Sequence, residues 1–406
     1  LLRFCLSDCD KRSLPLLRKG VCQIWSYMQN VALLGFGTVG ASVARILDER
    51  ISDANLTSIL VRAGKEHVDP RATSDFEAIL SDPTLDTVVE CMGGFSPAYE
   101  YIKSALTAKK NVVTSNKAVV AAHFEEFMSL AAEAGVNFKV EACVCGGIPW
   151  IAGIQKVRRI DEISAFWGIM NGTTNYIVYS MLKDGTDFTE VLSKAQELGY
   201  AERDPSSDID GIDVRSKTMI SASIAFDVVC TDQFPMSGIR NLTKRDLAMF
   251  GSHDMTIKLF GRGVSDGKSY AVAVEPVAVP LSTIEANVPT NFNVATAVGN
   301  TIGELKFYGQ GAGGNPTANA VVQDIIDCTH APAGAQQTFS AGLSYNPELL
   351  VSDYVFRTQA DVPGGSFWEP GAQLVKSLSA EKAHELLTNA LTQDPSTFMA
   401  ALEKRN

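Results

Sequence analysis

The stretch Gln29-Asn30-Val31-Ala32-Leu33-Leu34-Gly35-Phe36-Gly37-Thr38-Val39-Gly40 decides the fold. Residues 31–34 form a short apolar run of strand type, and residues 39–47 carry helical periodicity. Between them stand three glycines spaced Gly-x-Gly-x-x-Gly. Gly35 permits a tight turn, Gly37 lets main chain approach a pyrophosphate, and Gly40 lets helix and strand pack closely. Free amides at the start of such a helix then face the phosphates. Strand before and helix after favour this dinucleotide-binding reading over a plain structural turn. Downstream, residues 58–61, 87–91 and 111–114 read as further strands, with helical stretches at 75–80, 99–108 and 123–134. Apolar strands alternating with amphipathic helices specify a parallel sheet covered on both faces, the doubly wound α/β architecture.

Residues 28–148 are therefore expected to form a dinucleotide-binding domain. After Pro149 the pattern turns mixed, with strands at 162–169, 270–279 and 304–308 and helices at 175–183 and 213–225. Residues 149–327 read as a mixed α+β domain packed against the first. Residues 328–350, rich in Ala, Gly, Pro, Ser and Gln, read as a linker, and residues 351–406 as a short C-terminal appendix. Residues 1–27 carry Arg3, Lys11, Arg12, Arg18 and Lys19 around an apolar stretch too short for a signal peptide. Met28 stands directly before the first strand, so the native start is expected there and the preceding segment is expected to be extraneous or disordered. A length of 406 residues exceeds one ordinary core, and 46% hydrophobic with 20% charged residues mark a globular chain. A net charge of −11 gives no reason to seek nucleic acid or an anionic membrane as partner. No apolar run reaches the roughly 20 residues that span a bilayer. Eight cysteines without zinc spacing read as reduced thiols of a cytoplasmic protein.

Four further motifs carry chemistry. The second strand of this architecture usually ends in an acid that holds the ribose 2′-hydroxyl of NAD. Here Leu60-Val61-Arg62-Ala63-Gly64-Lys65 offers no acid but two cations, so Arg62 and Lys65 favour the 2′-phosphate of NADP, with NAD as the alternative. Thr114-Ser115-Asn116-Lys117 follows a strand at the ligand-binding edge, where a lysine can hold a substrate oxygen. Glu141-Ala142-Cys143-Val144-Cys145-Gly146-Gly147-Ile148-Pro149 is a small-residue turn whose thiols read as structural in the absence of a neighbouring histidine. Residues 199–217 are the densest: Glu202, Asp204, Asp208, Asp210 and Asp213 precede a helix on which Asp213 and Lys217 stand one turn apart. A solvated ion pair is the usual fate of that spacing. The apolar continuation Met219-Ile220, Ala222 and Ile224-Ala225 instead buries the helix and turns its charged start toward a cleft.

These motifs, in this order, resemble the homoserine dehydrogenase family across residues 28–327. The matching stretches also include Cys91-Met92-Gly93-Gly94, Ile169-Met170-Asn171-Gly172-Thr173-Thr174-Asn175-Tyr176 and Gly309-Gln310-Gly311-Ala312-Gly313. The resemblance implies reversible hydride transfer between NAD(P)H and L-aspartate 4-semialdehyde, giving L-homoserine for threonine, methionine and isoleucine synthesis. It implies that Lys217 donates the proton, that Asp213 partners it, and that Lys117 binds the same reacting oxygen. Glu202 with Asp208 would take the substrate ammonium, and Gly172, Thr173 and Tyr200 would add polar contacts. Gly35, Phe36, Gly37, Thr38, Val39, Gly40, Met92, Gly93, Ser115, Lys117, Gly199 and Gly311 match cofactor contacts. Glu141 with the carbonyls of Val144, Gly146 and Ile148 matches a sodium site. The second domain would be catalytic and dimerising, its C-terminal part returning to the nucleotide domain, in a homodimer or dimer of dimers. Two departures stand out. Gln310 takes a place where proline is frequent. The tail offers one strand and a turn, at Asp353-Tyr354-Val355-Phe356-Arg357-Thr358 and Asp361-Val362-Pro363-Gly364, of a βαββαβ regulatory module, with its middle strands unrecognisable. Little effect of threonine is therefore expected, as are unchanged catalytic constants in a chain ending near residue 327. Two other readings remain open: a cysteine-dependent aspartate-semialdehyde dehydrogenase using Cys143 or Cys145, and a non-catalytic dinucleotide sensor.

Overall fold

A computed structural model describes residues 28–330, 339 and 342–403. The expectations for residues 1–27, including Cys5, Cys9 and Cys22, lie outside the described residues. The first region runs β1 (Gln29–Leu34), α1 (Thr38–Arg50), β2 (Ala54–Leu60), β3 (Ala72–Thr73), α2 (Phe76–Leu80), β4 (Thr87–Glu90), α3 (Ala98–Thr107), β5 (Asn111–Thr114), α4 (Lys117–Ala134) and β6 (Phe138–Lys139). Its strands pair in parallel in the order β3-β2-β1-β4-β5-β6. Val31 to Leu34 are wholly buried, as strands covered on both faces must be. The doubly wound parallel sheet expected from the alternation is present. Register places Leu34 opposite both Leu60 and Glu90, and Glu90 opposite Thr114. The residues that follow, Gly35, Val61, Cys91 and Ser115, therefore line one edge of the sheet. Strand order reverses between β1 and β4, which opens a crevice at that edge.

The second region runs α5 (Trp150–Val157), β7 (Ile163–Ile169), α6 (Gly172–Asp184), α7 (Phe188–Glu197), α8 (Ser206–Ile209), α9 (Ile212–Phe226), α10 (Lys244–Gly251), β8 (Met255–Ser265), β9 (Ser269–Pro280), β10 (Phe292–Gly299), β11 (Gly303–Gln310) and α11 (Gly314–His330). Strands β11-β10-β7-β8-β9 pair antiparallel. Helix α9 is buried nearly all round, and it lies so close to β8 that a Cβ on Gly261 would stand 2.1 Å from Thr218 Oγ1. Helix α11 passes the expected linker start at 328 and packs on α1. Ala318, Val321, Val322 and Ile325 share a core with Val43, Ala44 and Leu47.

The tail departs from the sequence expectation. After β12 (Ser344–Tyr345), which falls inside the expected linker, come β13 (Val351–Arg357), β14 (Ser366–Glu369), β15 (Ala372–Ser379), α12 (Ala380–Gln393) and β16 (Phe398–Leu402). The order β16-β13-β15-β14 makes a four-stranded unit, and β16 pairs in parallel with β9, placing Ala401 opposite Val277. The tail thus extends the second sheet, with four strands where the sequence signals one. Strands β14 and β15 lack clean alternation because both are only partly buried. The alanine-rich Phe398-Met399-Ala400-Ala401-Leu402 has weak strand propensity, which pairing on both sides overrides.

Candidate active site

The nucleotide cradle forms where β1 meets α1. Gly35 takes a left-handed φ of +98°, and a Cβ there would sit 2.9 Å from the Cys91 carbonyl. On Gly40 a Cβ would overlap the Gly35 carbonyl at 2.1 Å, whereas Gly37 faces open space. Gly37 caps α1 without a side-chain hydrogen bond, so the first amides of the helix stay open to an anion. The Gly35 amide donates to the Leu60 carbonyl at 3.0 Å, which puts the Arg62–Lys65 turn beside the cradle. Both side chains of that turn, Arg62 and Lys65, are exposed. Phe36, Val39, Met92 and Ser115 are half-buried around the crevice, and Thr38 and Gly93 are exposed at its rim. Gly311 sits across the domain boundary from Gly146, whose Cβ would meet the Gly311 carbonyl at 2.6 Å.

Asp213 is the centre of the charged cluster. Lys117, from the N-terminus of α4, reaches its Oδ1 at 3.1 Å. Lys217, from α9, donates to its Oδ2 at 2.8 Å and to the Met170 carbonyl at 2.6 Å. Asp213 and Lys217 are each 7% exposed, while the Lys117 side chain is 40% exposed and forms the open side of the cluster. Burial opposes ionisation of Asp213, but the Lys217 and Lys117 ammoniums outweigh it and hold the carboxyl well below its usual range. In return Asp213 holds the Lys117 ammonium above its usual range, despite desolvation. An ammonium has three donors, and two of those on Lys217 are engaged by described residues.

Asn171, quoted within a motif but given no role from sequence, organises the acids. Its Oδ1 caps α6 by accepting the Thr174 amide at 2.8 Å. Its Nδ2 donates to Asp208 Oδ1 at 2.7 Å and Asp213 Oδ2 at 2.8 Å. Burial pushes the Asp208 carboxyl above its usual range, against the pull of Asn171. Thr173 Oγ1 donates to the Tyr200 carbonyl at 2.6 Å, and a Cβ on Gly172 would press on the Asn291 carbonyl. Gly199 turns the chain into the acidic run with φ +75°. Of the five acids, only Asp208 and Asp213 reach the cluster. Asp204 accepts the Ser206 amide, Asp210 pairs with Arg240, and the exposed Glu202 side chain makes no hydrogen bond or ion pair with a described residue.

The cysteine turn buries its thiols. Cys143 and Cys145 are buried; burial pushes the Cys145 thiol up to about 12 and the Cys143 thiol well above its ordinary value. Cys145 and Gly146 both have left-handed φ, which curls the chain between Val144 and Ile148. Glu141 accepts the Ile151 and Ala152 amides at 2.9 and 2.7 Å at the start of α5, and the Ile148 carbonyl accepts the Trp150 amide. Among the described residues no three His, Cys, Asp or Glu side chains cluster to hold a metal, so a cation here would rest largely on main-chain carbonyls.

Comparison with known proteins agrees with this geometry. The homoserine dehydrogenase family model matches residues 149–326, and the model of the homoserine dehydrogenase NAD-binding domain matches residues 35–141. Homoserine dehydrogenase of Synechocystis is 40% identical over 319 residues, spanning 73% of this chain and 72% of that one. The crystal structure of a homoserine dehydrogenase from Thiobacillus denitrificans superposes with a TM-score of 0.81 at 29% identity, covering 93% of this chain and 98% of that one. A hyperthermophilic archaeal homoserine dehydrogenase mutant in complex with NADPH superposes with a TM-score of 0.66 at 26% identity, over 75% of this chain and 99% of that one.

Proposed function

This chain belongs to the homoserine dehydrogenase family, and from that premise we propose that Lys217, Asp213 and Lys117 carry its proton chemistry. The enzyme interconverts L-aspartate 4-semialdehyde and L-homoserine with a nicotinamide dinucleotide, a step toward threonine, methionine and isoleucine. The observation that carries the assignment is the grip of two ammoniums from two domains on one buried carboxylate. NAD(P)H, when bound, supplies the hydride that reduces the carbonyl carbon. Negative charge then gathers on the carbonyl oxygen, and the third N–H of Lys217 serves as its proton donor. Lys117, on the open side, stabilises the same oxygen. Asp213 holds both ammoniums close together, which two cations alone would resist. Asp208, held by Asn171, takes the substrate ammonium with Glu202, and Gly172, Thr173 and Tyr200 complete the polar rim.

The cofactor is NADP in preference to NAD, supported by Arg62 and Lys65 beside the cradle and by the NADPH-bound archaeal relative. A sodium ion would be held by Glu141 with the carbonyls of Val144, Gly146 and Ile148, a reading supported by their hard oxygen chemistry and the curled turn at Cys145 and Gly146. The expected assembly is a homodimer or dimer of dimers in the cytoplasm. One experiment tests the core of this reading: NADPH oxidation by L-aspartate 4-semialdehyde in the parent and in Asp213→Asn. Loss of ~10²-fold or more in turnover is expected, and an Asp213→Asn enzyme of near-parent turnover refutes it.

A further inference from the structure

Residues 236–242 lie between the acidic loop and the C-terminal module, and both sides hold them. Toward the acidic loop, the Ile239 amide donates to the Ile209 carbonyl at 2.7 Å. Gly238 packs so tightly that a Cβ would stand 1.9 Å from that carbonyl and 2.5 Å from Asp210 Cα. Arg240 forks both oxygens of Asp210 at 2.7 and 2.6 Å and reaches Ser206 Oγ at 3.1 Å. Toward the tail, Asn241 Nδ2 donates to the Pro395 and Thr397 carbonyls at 2.9 and 3.0 Å. Its own carbonyl accepts Arg357 of β13 at 2.8 Å. Arg357 also forks Asp246, which is fully buried at the start of α10. His384 of α12 meets Ser237 Oγ at 3.1 Å through Nε2 and the Ala380 carbonyl at 2.8 Å through Nδ1. A carbonyl only accepts, so Nδ1 donates to Ala380, and the Glu275 carboxylate lies 3.7 Å from the same nitrogen; Nε2 and Ser237 share the second hydrogen bond.

Resting on the site reading above, we infer that residues 236–242 are a strap by which the C-terminal module sets the position of Asp208 and Asp213, with Asn241 and His384 as positioning residues for substrate. The strap grips Ile209 and Asp210, two of the four residues between those two acids. Gly211, which starts α9 with φ +89°, packs on Met236 and Val274. A shift of the strap therefore moves both acids against Lys217, and small misplacements at reacting centres cost rate and affinity steeply. The expectation that a chain ending near residue 327 keeps its constants is replaced by this one: the module is part of the substrate site's support.

The test uses the full chain with Asn241→Ala, His384→Leu and the conservative His384→Gln. Steady-state KM for homoserine, KM for NADP+ and kcat are measured beside melting temperature. The two disruptive variants are expected to raise homoserine KM by roughly 3–10-fold, the scale of one lost hydrogen bond, while NADP+ KM stays within about twofold. His384→Gln, which can still hydrogen-bond Ser237, should recover most of the change. Unchanged homoserine KM in folded variants overturns the strap, as does a parallel rise of both KM values. Lys217→Met in the same series separates the two failures. Its retained turnover would overturn the catalytic assignment, whereas homoserine KM reads the strap whichever lysine donates the proton.

Discussion

Replacing Lys217 by methionine removes an ammonium while keeping most of the side chain's length. In the structure that ammonium donates to the Met170 carbonyl at 2.6 Å and to Asp213 at 2.8 Å. Asp213 does not become an orphan, because Lys117 at 3.1 Å and Asn171 at 2.8 Å remain. The stability loss should therefore stay below the ~3–5 kcal/mol typical of breaking a buried ion pair. Catalysis should lose far more. A missing general acid costs roughly 10²–10⁴ in rate, or about 3–6 kcal/mol at ~1.4 kcal/mol per tenfold. The proton moves only in the transition state, so kcat and kcat/KM should fall together with little change in the KM for L-aspartate 4-semialdehyde. Absorbance of the reduced nicotinamide reads turnover, and fluorescence titration with NADPH checks that the cradle is intact. A folded Lys217→Met that binds NADPH and turns over within about tenfold of the parent would show that another group donates the proton.

Arg62→Ser should raise the KM for NADPH by roughly tenfold and leave that for NADH nearly unchanged, since only NADPH carries the 2′-phosphate; equal changes would remove Arg62 from its recognition. Cys145→Ala and Cys143→Ala should keep turnover close to the parent's, because both thiols are buried and protonated; a collapse of activity in either would restore the thioester reading. Burial lowers the Lys258 ammonium from 10.5 to about 7, so above that value the folded chain binds fewer protons than the unfolded one. Its contribution makes stability rise with pH from ~7 toward ~10, and Lys258→Met should flatten the rise in melting temperature over that window. Parallel melting curves for the two proteins would mean that Lys258 stays charged. Sodium chloride should raise the melting temperature more than tetramethylammonium chloride at equal ionic strength, and Glu141→Gln should abolish the difference. Equal effects of the two salts would leave the turn at Glu141 without an ion.

The features legible in the sequence are those written in local spacing. The three glycines at 35, 37 and 40 announce themselves because each answers a steric demand within a few residues. Asp213 and Lys217 share a helix face by their i,i+4 separation, and the apolar residues after them say that the helix is buried. Tertiary structure alone decided which acids join the lysine cluster. Residues 202–213 offer five carboxylates, yet Asn171, placed by the start of a different helix, selects Asp208 and Asp213, and Lys117 completes the cluster from the other domain. The strands of the tail escape the sequence for the same reason. The pairing of β14 to β16 depends on the neighbours they find, including β9, and a partly buried or alanine-rich strand carries no periodic signal of its own. Periodicity and turn chemistry are properties of a single segment, readable one stretch at a time. Ion pairing, strand register and the strap across residues 236–242 are relations between distant segments, and only the folded chain brings those segments together.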